Sequence, residues 1–427
     1  CIRDRDSILS KIKRHFFYSF LIPHAIPMTA TTSPLTPPLP PRPGQRLSWR
    51  QLHGSALGLA IASAARQHPA PLMVVTEDMT TASRLEQELH FYLGRDPAIP
   101  VLGFPDWETL PYDLFSPHQD IISQRLTALY RLPTLTRGIL LVPVATLMQR
   151  LPPREYLDGR TLLLDKGQRL DRDDLRRRLE TAGYRCVATV MEHGEFAIRG
   201  SLFDLYPMGS HHPYRLDLFG DEVDSIRTFE PESQRSQDAV STVRLLPARE
   251  FPLDEMAIQH FRQAWRETFA GDGGTSPLFR DVGKGLAPPG LEYYLPLFFD
   301  HTATLFDYLP ATALVVLGDG LEKAADGYWR EVGERFESGR FNQERPLLPP
   351  AALYLQTREV FAGLNRHPRI VAHLPLAAGD TSTVFAAGTV LFASEAPPAL
   401  PIEARAARPL GRLLDFVADF PGPVLLA

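Results

Sequence analysis

The sequence predicts a multidomain α/β protein whose main unit contains a parallel sheet. Its 427 residues are enough for about three domains. An apolar content of 44% is that of a protein with a packed interior. Between Leu47 and Met148, short runs typical of buried strands alternate with stretches of helical periodicity. This alternation favours parallel strands joined by crossover helices.

The first unit is expected to contain at least two buried strands and two helices. Residues 71–76 and 138–144 are short, continuous apolar runs, which is typical of strands covered on both faces. Between them, Asp78 can cap a helix that stops at Gly94. Residues 121–132 carry apolar side chains at helical spacing and predict a second helix.

Beyond Leu157 the chain becomes richer in strands. Asp171 is placed to cap a helix that ends before Gly183, and we interpret its arginines as a solvated, charged face. Glycine and proline then divide residues 190–229 into pieces of strand length. The segments that follow predict a helix, a buried strand and a linker, in that order: residues 253–269, 314–317 and 347–350.

Alternation in residues 190–229 predicts an exposed face that carries arginine and an aromatic ring. With the apolar side chains turned inwards, Arg215, Asp217 and Phe219 share the outer face of one strand, and Arg199 lies on the outer face of another. Arginine beside an exposed aromatic ring is typical of binding surfaces. The alternative is that both arginines pair with local carboxylates while Phe219 covers a sheet edge.

Composition excludes several classes of protein. A net charge of -5 and a pI near 6.3 argue against a dedicated nucleic-acid-binding chain. Cys1 and Cys186 cannot build a disulfide framework, which fits a reducing cytoplasm, and we expect Cys186 to be a small buried residue in a strand. No apolar run approaches the roughly 18 residues that span a bilayer, so no membrane contact is expected.

Catalytic and metal-binding motifs are not found. A phosphate loop needs a lysine and a hydroxyl residue that follow its glycines, and the turn at residues 53–59 (HGSALGL) has neither of them in place. Three histidines, His193, His211 and His212, lack the spacing and the cysteine partners of a metal site. We therefore assign no catalytic residue, no metal and no cofactor to this chain.

Both ends of the chain differ from the rest. Residues 1–27 resemble nothing that follows, and we expect Met28 to be the true start. Residues 29–43 are rich in proline, which favours an extended or disordered leader. The last residues, 421–427 (PGPVLLA), form an apolar run typical of a buried strand, so we expect a C-terminal truncation.

Several long motifs together resemble the N-terminal part of the bacterial transcription-repair coupling factor (Mfd) family. In that family this region is a UvrB homology module, so the resemblance implies a degenerate P-loop-NTPase-like parallel-sheet module that is split by an inserted α+β UvrA-binding domain. A truncated small α/β domain follows. The motifs are residues 104–126 (FPDWETLPYDLFSPHQDIISQRL), 142–150, 166–170, 191–219, 245–252 (LLPAREFP) and 347–350.

The resemblance also implies the division of the chain. The expected parts are a leader at 1–44, UvrB-like domain 1a at 45–156, the UvrA-binding domain at 157–244, UvrB-like domain 1b at 245–346 and the third small domain at 347–427.

Family function implies a recruiting role for this chain. UvrA would bind at Arg199 in EFAIRG and at Arg215 and Phe219 in PYRLDLF. RNA polymerase, DNA, ATP and Mg²⁺ would be bound by domains beyond Ala427, which in the family include an ATP-dependent DNA translocase, so no enzyme activity is expected here. Two alternatives are a UvrB-like ATP-dependent damage-verification protein and a noncatalytic scaffold without UvrA contact.

The UvrB-like alternative depends on the nucleotide site, which the sequence predicts to be degenerate. Its expected remnants are Gly54, Ser55, Gly58 and Gly318. Gly318 stands where UvrB's motif places an aspartate associated with Mg²⁺.

Overall fold

The computed structural model of the chain describes residues 31–94, 96–269, 274–373, 386–396, 398–402, 404–405 and 407–421. The strands within these residues are β1 (Arg46–Arg50), β2 (Leu72–Thr76), β3 (Val101–Gly103), β4 (Ile139–Pro143), β5 (Leu162–Asp165), β6 (Arg185–Cys186), β7 (Glu195–Arg199), β8 (Leu202–Tyr206), β9 (Tyr214–Phe219), β10 (Glu222–Phe229), β11 (Ser236–Val240), β12 (Thr242–Leu245), β13 (Leu314–Leu317), β14 (Arg369–Ala372) and β15 (Thr389–Leu391).

Helices connect and cover these strands. They are α1 (Ala56–Gln67), α2 (Met79–Leu93), α3 (Gln119–Arg131), α4 (Val144–Leu147), α5 (Arg154–Asp158), α6 (Arg172–Thr181), α7 (Glu255–Thr268), α8 (Pro277–Val282), α9 (Leu305–Tyr308), α10 (Leu321–Gly339), α11 (Pro350–Leu353), α12 (Thr357–Leu364) and α13 (Gly411–Asp419), with 3₁₀ helices at Leu132–Thr134 and Leu291–Phe298. None of the helices described is long and apolar enough to cross a membrane.

The larger sheet is parallel throughout its described length. Its strand order is β15-β1-β14-β13-β2-β4-β3. Every residue of β2, β4 and β13 is buried, as expected for central strands with helices on both faces. All three strands were predicted from their apolar runs, and the structure confirms them.

Helix ends follow the predicted capping chemistry. Asp78 accepts a hydrogen bond from the backbone N–H of Thr81 at 2.7 Å, and α2 stops at Gly94. Asp171 caps α6 by accepting from the backbone N–H of Asp174 at 2.9 Å. These contacts satisfy backbone donors that have no partner inside the helix.

A second, mostly antiparallel sheet is formed by a chain segment that is inserted, in sequence, between two parts of the parallel sheet. Its order is β11-β10-β9-β8-β7-β6, and β5 and β12 form a separate two-stranded ladder beside it. The chain leaves the parallel sheet after β4 and returns to it at β13. The predicted mixed α/β architecture, with a large parallel sheet and a separate second sheet, is confirmed.

The end of the described chain differs from the sequence prediction. We expected residues 347–427 to form a third small domain, but β14 pairs with both β1 and β13, and β15 pairs with β1. Both strands complete the parallel sheet, because β1 and β13 would otherwise leave backbone groups without partners. Residues 422–427, where we predicted a truncated strand, lie outside the described residues.

The described part of the leader is also packed. The backbone N–H of Thr32 donates to the Leu391 carbonyl at 2.8 Å, and the indole N–H of Trp49 donates to the Pro38 carbonyl at 3.3 Å. Thr32 is therefore bonded to β15 and Pro38 to β1, which anchors this part of the leader to the sheet. Residues 1–30, including the predicted start at Met28, lie outside the described residues.

A buried ion pair joins the two halves of the parallel-sheet unit. Arg125 on α3 donates through Nε to Glu250 Oε1 at 2.7 Å, and both side chains are fully buried. The same carboxylate accepts from the indole N–H of Trp107 at 3.2 Å, while Arg125 Nη1 donates to the Pro105 carbonyl at 2.8 Å. Because each charge is paired and hydrogen-bonded, this contact fixes the segment after β12 against the segment before α3.

Candidate functional site

Strand register brings the predicted exposed residues together on one face of the second sheet. Arg215 on β9 pairs with Asp204 on β8 and, on its other side, with Arg227 on β10. Directly paired residues of neighbouring strands point to the same face. We call Arg199, Asp204, Arg215, Phe219 and Arg227 the arginine face.

Burial along β9 agrees with the predicted alternation. Leu216 and Leu218 are buried in the core, whereas Phe219 is 85% exposed. The outer side of β7 differs from the prediction, because Ala197 is buried. It packs with Val190 and Phe229 in a small apolar cluster that covers this end of the outer face.

Asp204 is the centre of the arginine face. Its carboxylate is almost completely buried and accepts from Arg215 Nε at 2.7 Å and from Arg215 Nη2 at 2.9 Å. Arg199 Nη2 also donates to the same carboxylate. A buried carboxylate needs such partners, since an unpaired charge would be strongly destabilising. Both arginines thus pair with a local acid, as the alternative interpretation of the sequence expected.

Arg215 makes hydrogen bonds and a ring contact within the chain through most of its guanidinium group. Its Nη1 donates to the Gln234 carbonyl at 3.0 Å and to Ser236 Oγ at 3.3 Å, and its guanidinium lies 4.9 Å from the centre of the Phe229 ring. Only 16% of the side chain is exposed. The hydrogen bond to Asp204 raises the pKa of Arg215, so the group stays charged. Most donors of this arginine are therefore already used within the chain.

Arg199 and Phe219 are more open. The side chain of Arg199 is 44% exposed, and Phe219 stands in solvent at the end of β9. Phe219 does not cover a sheet edge, contrary to the alternative interpretation. A charged donor group and an uncovered ring on a rigid sheet are suited to a partner that offers carboxylates and apolar surface.

Two of the four residues predicted as a degenerate nucleotide site line a cavity of about 360 Å³. Gly54 and Gly318 both line it, at the carboxyl ends of the parallel strands, which is where α/β proteins usually bind ligands. Ser55 is turned to another partner, since its hydroxyl lies 2.7 Å from the Tyr92 hydroxyl.

Gly58 lies in the first turn of α1, and a carboxylate already occupies this turn. The Gly58 backbone N–H donates to the Glu88 side chain, and burial raises the pKa of Glu88. A Cβ atom at Gly58 would lie 2.5 Å from Glu88 Oε2, so the two helices touch here. In a phosphate-binding protein the helix N-terminus holds the anion.

The lining of the cavity is partly acidic. Glu77, Glu88 and Asp319 line it together with Arg84 and His373, and no lysine is among the described residues that do so. Carboxylates at this position would repel phosphate.

His193, which was considered for a metal site and not assigned to one, and Cys186 are placed as follows. His193 lies 2.6 Å from Asp120 Oδ1 and 2.8 Å from the Ser210 carbonyl, so it joins the second sheet to α3. The described residues contain no cluster of three or more side chains that could hold a metal ion. Cys186 is exposed, and the prediction that it is buried was wrong, because β6 is a two-residue strand at the edge of its sheet.

Sequence reasoning missed three residues that shape these sites. Alternation in β8 and β10 could have placed Asp204 and Arg227 on the outer face, but it could not have paired them with Arg215. Nothing in the sequence pointed to Glu88 as the partner of Gly58, because that contact depends on how α1 and α2 pack.

Comparisons with known proteins agree on one group of relatives. A family model described as the UvrB interaction domain matches residues 162–251, which include the whole arginine face. The chain is 44% identical over 393 residues to the transcription-repair-coupling factor of Escherichia coli, a match that covers 91% of this chain and 33% of that protein. Against the Haemophilus influenzae protein of the same name the identity is 42%, covering 92% and 33%. For Myxococcus xanthus the identity is 34%, covering 75% and 28%. The chain thus spans about a third of the length of the curated relatives that it matches.

Proposed function

Because the chain belongs to the transcription-repair-coupling factor family, we propose that it recruits UvrA to stalled RNA polymerase in transcription-coupled nucleotide excision repair. The observation that carries the proposal is the match of the UvrB interaction domain to residues 162–251. Contacts with RNA polymerase and with DNA are assigned to other parts of the longer relatives. The proposed role implies a cytoplasmic location.

Arg199, Arg215 and Phe219 are the proposed UvrA contacts, in line with the family resemblance. Phe219 would lose its exposed area against UvrA, and Arg199 keeps donors that can reach a carboxylate. Arg215 contributes by holding Asp204 and, through it, Arg199. A surface of this kind needs little rearrangement on binding, which lowers the entropic cost of association.

We further propose that the parallel-sheet unit is a P-loop-NTPase-like fold that has lost its nucleotide site. Support comes from the acidic lining of the cavity and from the Glu88 carboxylate at the first turn of α1. The unit would then serve as a scaffold that carries the UvrA-binding domain. The UvrB-like alternative requires a working ATP site at this place.

Calorimetric titration of the chain against purified UvrA tests the proposal. We expect binding, and we expect Arg199→Ala and Phe219→Ala each to weaken it about thirtyfold, the effect of truncating a central interface residue at roughly 2 kcal/mol. Arg176→Ala is the matched control. It removes the same charge from α6, whose Leu175 and Leu179 belong to the same buried cluster as Leu216 and Leu218 on the inner side of β9.

The outcomes separate the alternatives. If the parent chain does not bind UvrA, the recruiting role is wrong and the scaffold without UvrA contact remains. If the parent binds and both variants bind equally well, the role stands but the surface lies elsewhere on the chain.

A further inference from the structure

Arg227 is an exposed arginine of the same face whose guanidinium is unused. It lies opposite Arg215 in the ladder between β9 and β10. In the part of the chain that the structure describes, no hydrogen bond, ion pair or aromatic ring engages its side chain, which is exposed. All five N–H donors of this guanidinium are therefore open to a partner.

The neighbours of Arg227 do not neutralise it. Directly opposed like charges are unfavourable in a sheet, and the charge of Arg215 is compensated only because Asp204 lies on its far side. Asp204 already serves Arg199 and Arg215. Asp217, the other acid on the outer side of β9, accepts from the Ser201 hydroxyl at 3.0 Å.

Arg215 and Arg227 are thus suited to different tasks. Arg215 is 16% exposed and has donated Nε, Nη1 and Nη2 within the chain, so it cannot grip a partner's carboxylate with its fork. Arg227 carries the same guanidinium group, and within the described residues no hydrogen bond or ion pair engages it. A free guanidinium on a rigid strand, next to a fixed one, is well placed for a bidentate contact with a carboxylate.

We propose that the UvrA-binding surface extends to Arg227, which makes the bidentate contact to a UvrA carboxylate, while Arg215 is a positioning residue that acts through Asp204. This inference rests on the proposed recruiting function. The surface then runs across four strands, from Arg199 on β7 past Asp204 on β8 and Phe219 on β9 to Arg227 on β10.

The test is titration of UvrA with Arg227→Ala and Arg227→Lys. We expect Arg227→Ala to bind at least tenfold more weakly, and Arg227→Lys to recover only part of the loss, because an ammonium group cannot replace the planar fork. Thermal unfolding supplies an independent readout. Arg227→Ala should melt like the parent, whereas Arg215→Ala should melt at a lower temperature because it leaves the buried Asp204 carboxylate with Arg199 as its one remaining arginine partner.

The failures are distinguishable. Absence of binding by the parent chain contradicts the proposed function itself. If the parent binds and Arg199→Ala weakens binding while Arg227→Ala, like the Arg176→Ala control, binds as the parent does, the recruiting function stands and the inference about Arg227 is wrong. An Arg215→Ala variant that keeps the parent's melting temperature but loses UvrA binding would contradict its positioning role.

Discussion

At the scale of single residues, Asp204 decides how the arginine face is built. Two arginines that the sequence places on separate strands meet on one carboxylate, because β8 lies between β7 and β9 in the sheet. The Asp204 side chain is almost completely buried, so the stability of its charged form in the folded chain depends on both arginines. Their common anchor turns two flexible side chains into a fixed, positively charged surface.

Removing this carboxylate should destabilise the chain. For Asp204→Ala we expect a loss of about 3 kcal/mol in the free energy of unfolding, at the lower end of the range for broken buried pairs, because Arg199 can turn into solvent. Urea unfolding measures the change. Asp217→Ala, on the same strand face as Arg215, is the control and should lose less than about 1 kcal/mol. Equal losses in the two variants would mean that Asp204 is not the anchor.

At the scale of elements, the contact between α1 and α2 decides which groups the cavity at the carboxyl ends of the parallel strands presents. The two helices approach so closely at Gly58 that a Cβ atom there would lie 2.8 Å from the Cβ of Glu88. The same approach delivers the Glu88 carboxylate to the first turn of α1.

Gly58→Ala should therefore lower stability although alanine is the better helix former. We expect a loss of about 1–2 kcal/mol, because the clash involves the base of the Glu88 side chain and the helices must separate. Gly327→Ala in α10 is the matched control. No atom lies within 4 Å of its added Cβ, so it should gain up to about 1 kcal/mol from helix propensity. Melting temperatures that shift in the same direction for both variants would contradict this packing.

The 3₁₀ helix Leu291–Phe298 carries the clearest pH dependence. Burial raises the pKa of Glu292 to about 7, although Ser116 donates a hydrogen bond to its carboxylate at 2.9 Å. The raised pKa means that the folded chain keeps this proton while the unfolded chain loses it near its ordinary value of 4.5. Stability from this group is therefore present below that value and is lost as pH rises towards 7.

Glu292→Gln should remove this dependence. An amide oxygen can still accept from Ser116 but carries no titrating proton. We expect the urea midpoint of the variant to exceed that of the parent at pH 8 and to approach it at pH 4. Glu334→Gln, an exposed position on α10, should follow the parent at both values. If the difference in urea midpoint between variant and parent is the same at pH 4 and at pH 8, Glu292 does not titrate as described.

At the scale of the whole molecule, the parallel sheet and the inserted sheet have different tasks. The first has the topology of a ligand-binding α/β unit with a cavity at its carboxyl edge, yet that cavity presents acids. The second carries an exposed, charged face on its outer side. This arrangement supports the proposal that the second sheet presents a surface to a partner.

We expect the chain neither to bind ATP at micromolar concentration nor to hydrolyse it. The turn at residues 53–59 lacks, at the phosphate-loop positions, the lysine and the hydroxyl residue that compensate a triphosphate and its Mg²⁺. Glu88→Gln should relieve the repulsion yet leave hydrolysis at the level of a blank without protein, because those two groups are still missing. Calorimetry and phosphate release measure the two properties, and turnover by the parent chain would favour the UvrB-like alternative.

The secondary structure of several segments was predictable from the sequence alone. The buried strands β2, β4 and β13, the caps Asp78 and Asp171, and the alternation along β9 all follow from the residues within one element. The reason is that apolar periodicity and capping depend on side chains a few positions apart. The exposed side of β9 is therefore fixed by the alternation of its own six residues.

Contacts between distant segments were decided only by the tertiary structure. Residues 369–372 complete the parallel sheet, Asp204 binds both arginines, and Glu88 occupies the first turn of α1. Each depends on strand order, register or helix packing, whose energies come from groups far apart in the chain. The sequence determined that arginines and Phe219 face outwards. The fold determined that Arg215 is tied to Asp204, because the register puts that carboxylate directly opposite Arg215, whereas the residue opposite Arg227 on β9 is Arg215 itself.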